Sequence, residues 1–107
     1  MAINNAQMST GAPVEFTVSA GQSWAFTTIM ICNKGSGAAT FSVYAVLSGE
    51  AVSDTKNKIV NTASVDANDT FVMDSEKLIL EAGDKLSFQQ IGGTNGDLLV
   101  TVSYIVV

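Results

Sequence analysis

The sequence offers one cysteine, Cys32, which stands two residues before Lys34 and inside the stretch "ICNKGSG". A cysteine becomes a nucleophile when a base or a positive charge lowers its pKa, and a glycine-rich loop can cradle a phosphate. The chain has no histidine, and a strand-like backbone would hold Cys32 and Lys34 apart. No Gly-Lys-Ser/Thr sequence opens a helix here. The stretch therefore predicts a hairpin, with its glycines at positive φ and Cys32 as a small buried hydrophobic residue.

Clustered carboxylates are the second group that could do chemistry. The stretch "SVDANDTFVMDSE" carries Asp66, Asp69, Asp74 and Glu76, and a pair of them could act as acid and base. Asp66, Asn68 and Asp69 could also offer oxygen ligands to Ca²⁺. The glycine and the terminal glutamate of a calcium loop are missing, and Asn and Asp are ordinary turn residues. We expect a turn here, and we expect no catalytic residue, no metal site and no cofactor in the chain.

Charge and composition exclude several classes of partner. The chain of 107 residues has five lysines, no arginine, no histidine and ten carboxylates, which gives a net charge of −5. Proteins that bind nucleic acids neutralise phosphates with clustered Lys and Arg, so we expect neither a nucleic acid nor an anionic membrane as partner. A single cysteine allows no intrachain disulfide. The first residues have no basic and apolar signal-peptide pattern, which predicts a soluble protein made in a cytoplasm.

The elements that would position these residues are strands. Apolar residues alternate with polar ones, β-branched and aromatic residues are frequent, and Gly, Asn and Asp separate the runs. The predicted strands are Val14–Val18, Trp24–Asn33, Ala39–Leu47, Lys58–Val65, Thr70–Met73, Lys77–Glu81, Lys85–Ile91 and Leu98–Val107.

Eight strands at this spacing predict an all-β fold, a single-domain antiparallel β-sandwich over residues 13–107. A jelly roll fits best, and a Greek-key sandwich is the alternative. The segments "VSAGQSWAF" and "LEAGDKLSF" resemble each other. Two similar β-turns, each leading into a strand, are enough to explain that similarity.

Two features depart from a simple monomeric sandwich. The strand from Trp24 to Cys32 reads as apolar on both faces, with Trp24, Phe26 and Met30 on one side, and the closing "YIVV" repeats this. We expect an arm, a loop or another subunit to cover the surplus apolar face. The second feature is the run "MAINNAQMSTGA", residues 1–12, which is small, polar and unpatterned and therefore predicts a flexible N-terminal arm.

Three stretches carry a resemblance to a known family. "FTVSAGQSWAFTTIMICNKGSGAATFSVYAV", "VDANDTFVMDSEKLILEAGDKLSF" and "LLVTVSYIVV" resemble a small β-sandwich family of tailed-bacteriophage structural proteins. In that family a "PAG"-type turn leads into a strand ending in "ICN", and "ANDT" and "LEAGD" turns follow. The matching positions are Ala20-Gly21, Ile31-Cys32-Asn33, Ala67-Asn68-Asp69-Thr70 and Leu80-Glu81-Ala82-Gly83-Asp84. Ser19 departs from the family's proline.

The resemblance implies a non-enzymatic virion component. A stand-alone sandwich with an N-terminal arm and a surplus apolar face suits a capsid decoration (cement) protein on the outer surface of the shell. Its partner would be the major capsid protein or another virion protein. Self-association would be expected, with trimers common among such proteins. The residues expected at interfaces are Met1, Ala2, Ile3, Asn4, Asn5, Ala6, Gln7, Met8, Trp24, Phe26, Met30, Leu99, Ile105 and Val107.

Two other functions compete with the decoration role. A neck or tail-fibre module would place receptor or glycan contacts in "SGEAVSDTKNK" and "IGGTNGD", with Tyr44 as the one outward aromatic residue. A cupin-like enzyme would need histidines to hold its metal, and the chain has none.

Overall fold

The computed structural model describes residues 2–73 and 78–107, which form two packed antiparallel sheets. The sequence-based fold class, an antiparallel β-sandwich of the jelly-roll type, is confirmed. No helix in the described part of the chain could cross a membrane. The strands are β1 (Ala2–Gln7), β2 (Val14–Thr17), β3 (Ser23–Asn33), β4 (Ala39–Val46), β5 (Lys58–Val65), β6 (Thr70–Met73), β7 (Leu78–Glu81), β8 (Lys85–Gly92) and β9 (Leu98–Val106).

The strand order is that of a jelly roll. One sheet, here called sheet A, has the order β1-β9-β3-β6, and β7 also pairs with β3. The other, sheet B, has the order β2-β8-β4-β5. The chain therefore passes repeatedly from one sheet to the other, as in the double Greek key of a jelly roll. The eighth strand of the ideal fold is represented by β6 and β7, which lie against successive parts of β3.

The core lies between the two sheets and is rich in aromatic residues. Trp24 on β3 stacks on Tyr104 of β9, with 4.0 Å between ring centroids. Phe41 on β4 meets Phe71 on β6 edge to face at 5.1 Å, which joins the two sheets. Stacked and edge-to-face pairs add to the free energy gained from burying the rings.

The N-terminal segment corrects one expectation. The sequence predicts a flexible arm over residues 1–12, but Ala2–Gln7 is an edge strand that pairs along its whole length with β9. Met8 follows it into the core and is 1% exposed. A lone segment such as "AINNAQ" has no strand signal of its own; the partner strand supplies the backbone hydrogen bonds that make it one. The sandwich thus begins at residue 2 within the described chain.

A β-bulge in β3 corrects a second expectation. The register against β9 shifts between Phe26 and Thr28, so Thr27 is an extra residue in the ladder. One extra residue moves every later side chain to the opposite face. Trp24 and Phe26 therefore point inward together with Ile29 and Ile31, and all four are buried. The bulge thus regroups the apolar residues of β3, with Ala25, Met30 and Cys32 on the outward side.

The "ICNKGSG" stretch is a sheet-to-sheet connection and not the predicted hairpin. β3 belongs to sheet A and β4 to sheet B, and the two strands do not pair. Gly35 and Gly37 do not adopt positive φ. A side chain at Gly35 would meet the Asp97 side chain, which would have to shift. Cys32, predicted as buried, is exposed on the outer side of β3 because of the bulge.

The two similar segments noticed in the sequence are indeed two similar turns. Gln22 donates its backbone N–H to the Ser19 carbonyl, and Asp84 does the same to Glu81. The third residue of each turn, Gly21 or Gly83, has positive φ, as type II turns require. The two turns are neighbours, because the Gly83 N–H donates to the Val18 carbonyl.

Candidate interaction surface

The outward side of sheet A is a surface without formal charge, here called the uncharged face. Residues opposite each other in an antiparallel ladder point to the same side, so the strand registers define its rows. The rows run from β1 or β9 across β3 to β6 or β7. They are Gln7-Leu99-Cys32-Thr70, then Asn5-Thr101-Met30-Val72, then Ile3-Ser103-Thr28, and finally Ile105-Ala25-Ile79.

Charge is almost excluded from this sheet. The five strands of sheet A carry a single charged residue, Glu81, which is the last residue of β7 and pairs with Ser23 beyond the final row. The chain as a whole carries fifteen charged residues, five lysines and ten carboxylates. Their near absence from one whole sheet makes the uncharged face the feature of the molecule that most needs a partner, because depletion of charge marks interface cores.

Large apolar side chains are exposed on this face. Ile3 and Ile79 are 68% and 66% exposed, and Val72 is 50% exposed. Met30 and Ile105 lie between them in the ladder and are also exposed. Single exposed apolar residues are ordinary, but a group of them on one sheet face, interspersed with hydroxyls, is typical of a surface that another protein covers.

Sheet B presents the opposite chemistry on its outer side. Lys85 of β8 pairs with Glu15 of β2, with 2.9 Å between nitrogen and oxygen. Lys58 on β5 pairs with Asp54 at 3.2 Å. Among the residues that the structure describes, the outer side of sheet B therefore bears ion pairs, whereas the strands of sheet A bear one charge, that of Glu81.

Tyr44 links the β4–β5 loop to the outer side of sheet B. Its hydroxyl donates a 2.7 Å hydrogen bond to the Asp54 carboxylate, and the Lys58 nitrogen lies 5.7 Å from the ring centroid. The hydrogen bond to Asp54, together with burial, raises the pKa of Tyr44 above 10.0. The same bond and the Lys58 ammonium lower the pKa of Asp54 below 3.8. Tyr44 was expected to be an exposed outward aromatic residue, but it is only 4% exposed.

The two loops that a glycan-binding module would use are tied to the protein's own buried amides. Asn57 accepts a hydrogen bond from the Ser53 N–H and donates one to the Ala51 carbonyl, which fixes the β4–β5 loop. Gln90 donates to the Thr94 carbonyl at 2.8 Å and accepts from the Gly96 N–H. Several polar groups of both loops therefore already make hydrogen bonds within the protein.

The carboxylate stretch forms a turn in the part that the structure describes. Asp69 donates its N–H to the Asp66 carbonyl, and Asn68 takes positive φ, as an asparagine tolerates. The Asp69 carboxylate accepts the N–H of Thr70. No group of three or more potential metal-ligating side chains occurs among residues 2–73 and 78–107. Asp74 and Glu76 lie outside the described residues.

The interface residues predicted from sequence fall into three groups. Ile3, Asn5, Gln7, Met30, Leu99 and Ile105 lie on the uncharged face, and Val107 is exposed beside Ser23 at the end of β9. Met8, Trp24 and Phe26 are buried in the protein's own core, so they do not form an outer surface. Ala2, Asn4 and Ala6 lie opposite inward-facing residues of β9, namely Tyr104, Val102 and Val100, and Met1 lies outside the described residues.

Sequence reasoning missed Val72 and Ile79, which complete the uncharged face. Each is the exposed member of an alternating strand, with Phe71 and Leu80 turned inward. The alternation alone could have assigned them to an outer side. Their partners on β3, Met30 and Ala25, could not be assigned to the same side from sequence, because the bulge lies between those two residues and changes the alternation.

No pocket was found among the described residues. No model of a known protein family matches the chain, and no curated protein matches it. The uncharged face is thus characterised by its own geometry and composition.

Proposed function

We propose that this protein is a non-enzymatic structural component of a tailed-bacteriophage virion. Specifically, it acts as a capsid decoration (cement) protein that covers the outer surface of the major capsid shell. The observation that carries the proposal is the uncharged face, an exposed sheet surface with apolar residues and a single charge at its margin. The jelly-roll fold and the resemblance of the turn motifs to small phage sandwich proteins support it.

In such a role the protein would bind the shell through one face of a sheet. A sheet face without charge needs no desolvation of ions when it meets protein, so the apolar residues contribute most of their burial free energy. The net charge of −5 helps to keep the free protein soluble. In this proposal sheet A faces the shell and sheet B, with its ion pairs, faces the solvent.

Location and copy number in purified particles test the assignment. An antibody against the chain, used for immunogold labelling, should decorate the whole shell, and the protein should approach the abundance of the major capsid protein. Label confined to one vertex or to the fibres would replace the decoration role by a neck or tail role. Absence from particles would remove the virion assignment altogether.

Cys32 supplies a direct test of which face is covered, because it lies on the uncharged face and is the sole cysteine. We expect maleimide to alkylate it readily in the free protein and at least about tenfold more slowly on the particle, since alkylation needs access. A matched control moves the reporter to sheet B, with Ser64→Cys in a Cys32→Ser background. Ser64 is exposed on β5 and should stay reactive on the particle. Equal protection of both sites, or of neither, would contradict binding through the uncharged face.

A further inference from the structure

The free edges of the two sheets differ in how they are protected against pairing with another chain. An unpaired strand edge is a template for β-pairing, and proteins usually protect it with short strands, charges, proline or bulges. β2 has four residues, follows Pro13 and carries Glu15. β5 carries Lys58, pairs irregularly with β4 and has Thr62 at positive φ. β6 and β7 have four residues each.

β1 has none of these protections. It is six residues long, "AINNAQ", without charge, proline or glycine, and it pairs with β9 without a register shift. The next backbone N–H along the chain, that of Met8, donates to the Leu98 carbonyl at 2.8 Å. Backbone groups alternate in direction along a strand, so those of Ile3, Asn5 and Gln7 point away from β9. In agreement, the Asn5 N–H donates not to β9 but to the side-chain oxygen of its neighbour Asn4 at 3.0 Å.

We propose that the β1 edge is a self-association site, at which β1 of a second copy of this chain pairs antiparallel across a two-fold axis. Antiparallel pairing centred on Asn5 places Asn5 opposite itself and Ile3 opposite Gln7 of the other copy. All three outward-pointing residues then exchange backbone hydrogen bonds. The contact joins two copies of the five-stranded sheet A into one sheet and makes their uncharged faces continuous.

Charge placement favours a second copy as the occupant. A two-fold contact sets each residue near its own copy, so any charge at its centre would face a like charge. A two-fold contact through an edge without charge avoids this repulsion, and β1 is such an edge. Asparagine suits the axis position because its amide both donates and accepts, so two copies of Asn5 can hydrogen-bond to each other.

The contact should be weak in solution and effective at high local concentration. Six residues of edge pairing bury much less than the area of a stable dimer interface, so we expect a dissociation constant between about 10 µM and 1 mM. Copies held side by side by another surface would pair far more readily. The proposal does not depend on the virion role, and it replaces the three-fold clustering expected from the resemblance with a two-fold contact.

Cysteine crosslinking tests the register. In a Cys32→Ser background, Asn5→Cys places two thiols across the axis with Cα atoms roughly 5.5 Å apart, within disulfide range. Mild oxidation at high protein concentration should give a covalent dimer in good yield. Ser64→Cys in the same background, on the edge strand β5, should stay monomeric. Equal dimer yields from the two variants, or none from Asn5→Cys, would overturn the proposal.

A charge variant provides the second test and does not require a crosslink. Sedimentation equilibrium of the wild-type chain up to about 1 mM should detect dimers, and Asn5→Lys should weaken the association at least about tenfold. Ser64→Lys should leave it unchanged. On dimerisation the Asn5 amide should become protected from hydrogen exchange. A wild-type chain that stays monomeric, or an Asn5→Lys variant that associates like the wild type, would refute self-pairing through β1.

Discussion

Asn33 connects the end of β3 to the loop that follows it, to the end of β5 and to the turn before β6. It is fully buried at the end of β3, and its side chain accepts the Gly35 N–H while donating to the carbonyls of Gly37 and Val65. Its backbone N–H donates to the Asp69 carbonyl and its carbonyl accepts from Asn68. The "ICN" and "ANDT" motifs of the sequence are therefore two halves of one hydrogen-bonded joint. Every polar atom of this buried amide has a partner, which is the condition for burying it at little cost.

Replacing Asn33 should destabilise the fold strongly. Asn33→Ala removes three hydrogen bonds and leaves the buried Val65 carbonyl without this partner, so the free energy of unfolding should fall by about 1–3 kcal/mol. Asn61→Ala, at an exposed asparagine, is the control and should change it by less than about 0.5 kcal/mol. Urea denaturation at one pH measures both. Similar midpoints for the two variants would show that the joint is not held by the Asn33 side chain.

The Tyr44–Asp54 hydrogen bond should make stability depend on pH in a defined way. The folded-state pKa of Asp54 lies below 3.8, so its stabilisation is present above that pH and is lost as the pH falls through the folded value. The folded-state pKa of Tyr44 lies above 10.0, so the stabilisation from its protonated hydroxyl is present below that pH and is lost as the pH rises through the folded value. Tyr44→Phe should therefore be less stable than the wild type at neutral pH, and the difference should narrow at both extremes.

Thermal melts of wild type and Tyr44→Phe across the pH range measure this difference. Asp54→Asn is the matched variant for the acid side, because it removes the carboxylate while keeping a group that can accept the hydroxyl. Its own stability difference from the wild type should also narrow as the pH falls. A stability difference between Tyr44→Phe and the wild type that stayed constant from acid to alkaline pH would contradict a contribution from the hydrogen bond between the neutral Tyr44 hydroxyl and the ionised Asp54 carboxylate.

At the scale of elements, β1 completes the sandwich and is not an appendage. Removing residues 1–8 would expose the edge of β9 and delete Met8, which is 1% exposed. We expect the deletion to lower the free energy of unfolding by about 3 kcal/mol or more, measured from the denaturant midpoint. Met8→Ala should account for much of this loss, whereas Ile3→Ala, at a 68% exposed position, should cost little. An unchanged midpoint after deletion would restore the flexible arm that the sequence predicts.

Most strands could be predicted from sequence because alternation and turn residues define them locally. β5 and β6 match the predicted Lys58–Val65 and Thr70–Met73, and the other predicted ends differ by a residue or so where the structure describes them. β1 could not be predicted, since its conformation comes from pairing with β9. The bulge at Thr27 could not be predicted either, because "FTTI" continues the alternation by eye and only the ladder with β9 reveals the extra residue.

At the scale of the whole molecule, the sandwich is electrostatically two-sided. All three ion pairs seen in the described residues lie on sheet B or in the β4–β5 loop, and sheet A contributes one charge at its margin. The sequence revealed an excess of apolar residues on long strands, and Met30, Leu99 and Ile105 do lie on the outer side of sheet A, whereas Trp24 and Phe26 lie in the core. The bulge and the strand registers decide which residues form the surface. The sequence could therefore predict that an exposed apolar surface exists, but only some of the residues on it.

This two-sidedness predicts how the proposed binding to the shell should respond to salt. Contacts between exposed charges weaken as salt shortens the Debye length from about 8 Å at 0.15 M to about 4 Å at 0.6 M. The rows of the uncharged face carry no charged residue to screen, so the affinity for particles should change less than about threefold over that range. The enthalpy of binding, measured at several temperatures, should show a negative heat-capacity change, as burial of apolar surface requires.

Met30→Lys should weaken binding at least about tenfold and make it salt-dependent, because it buries a charge in the contact. Thr17→Lys, at an exposed position on sheet B, should do neither. Binding of the wild-type protein that collapsed with added salt would instead place the contact among the ion pairs of sheet B, and the uncharged face would lose its role.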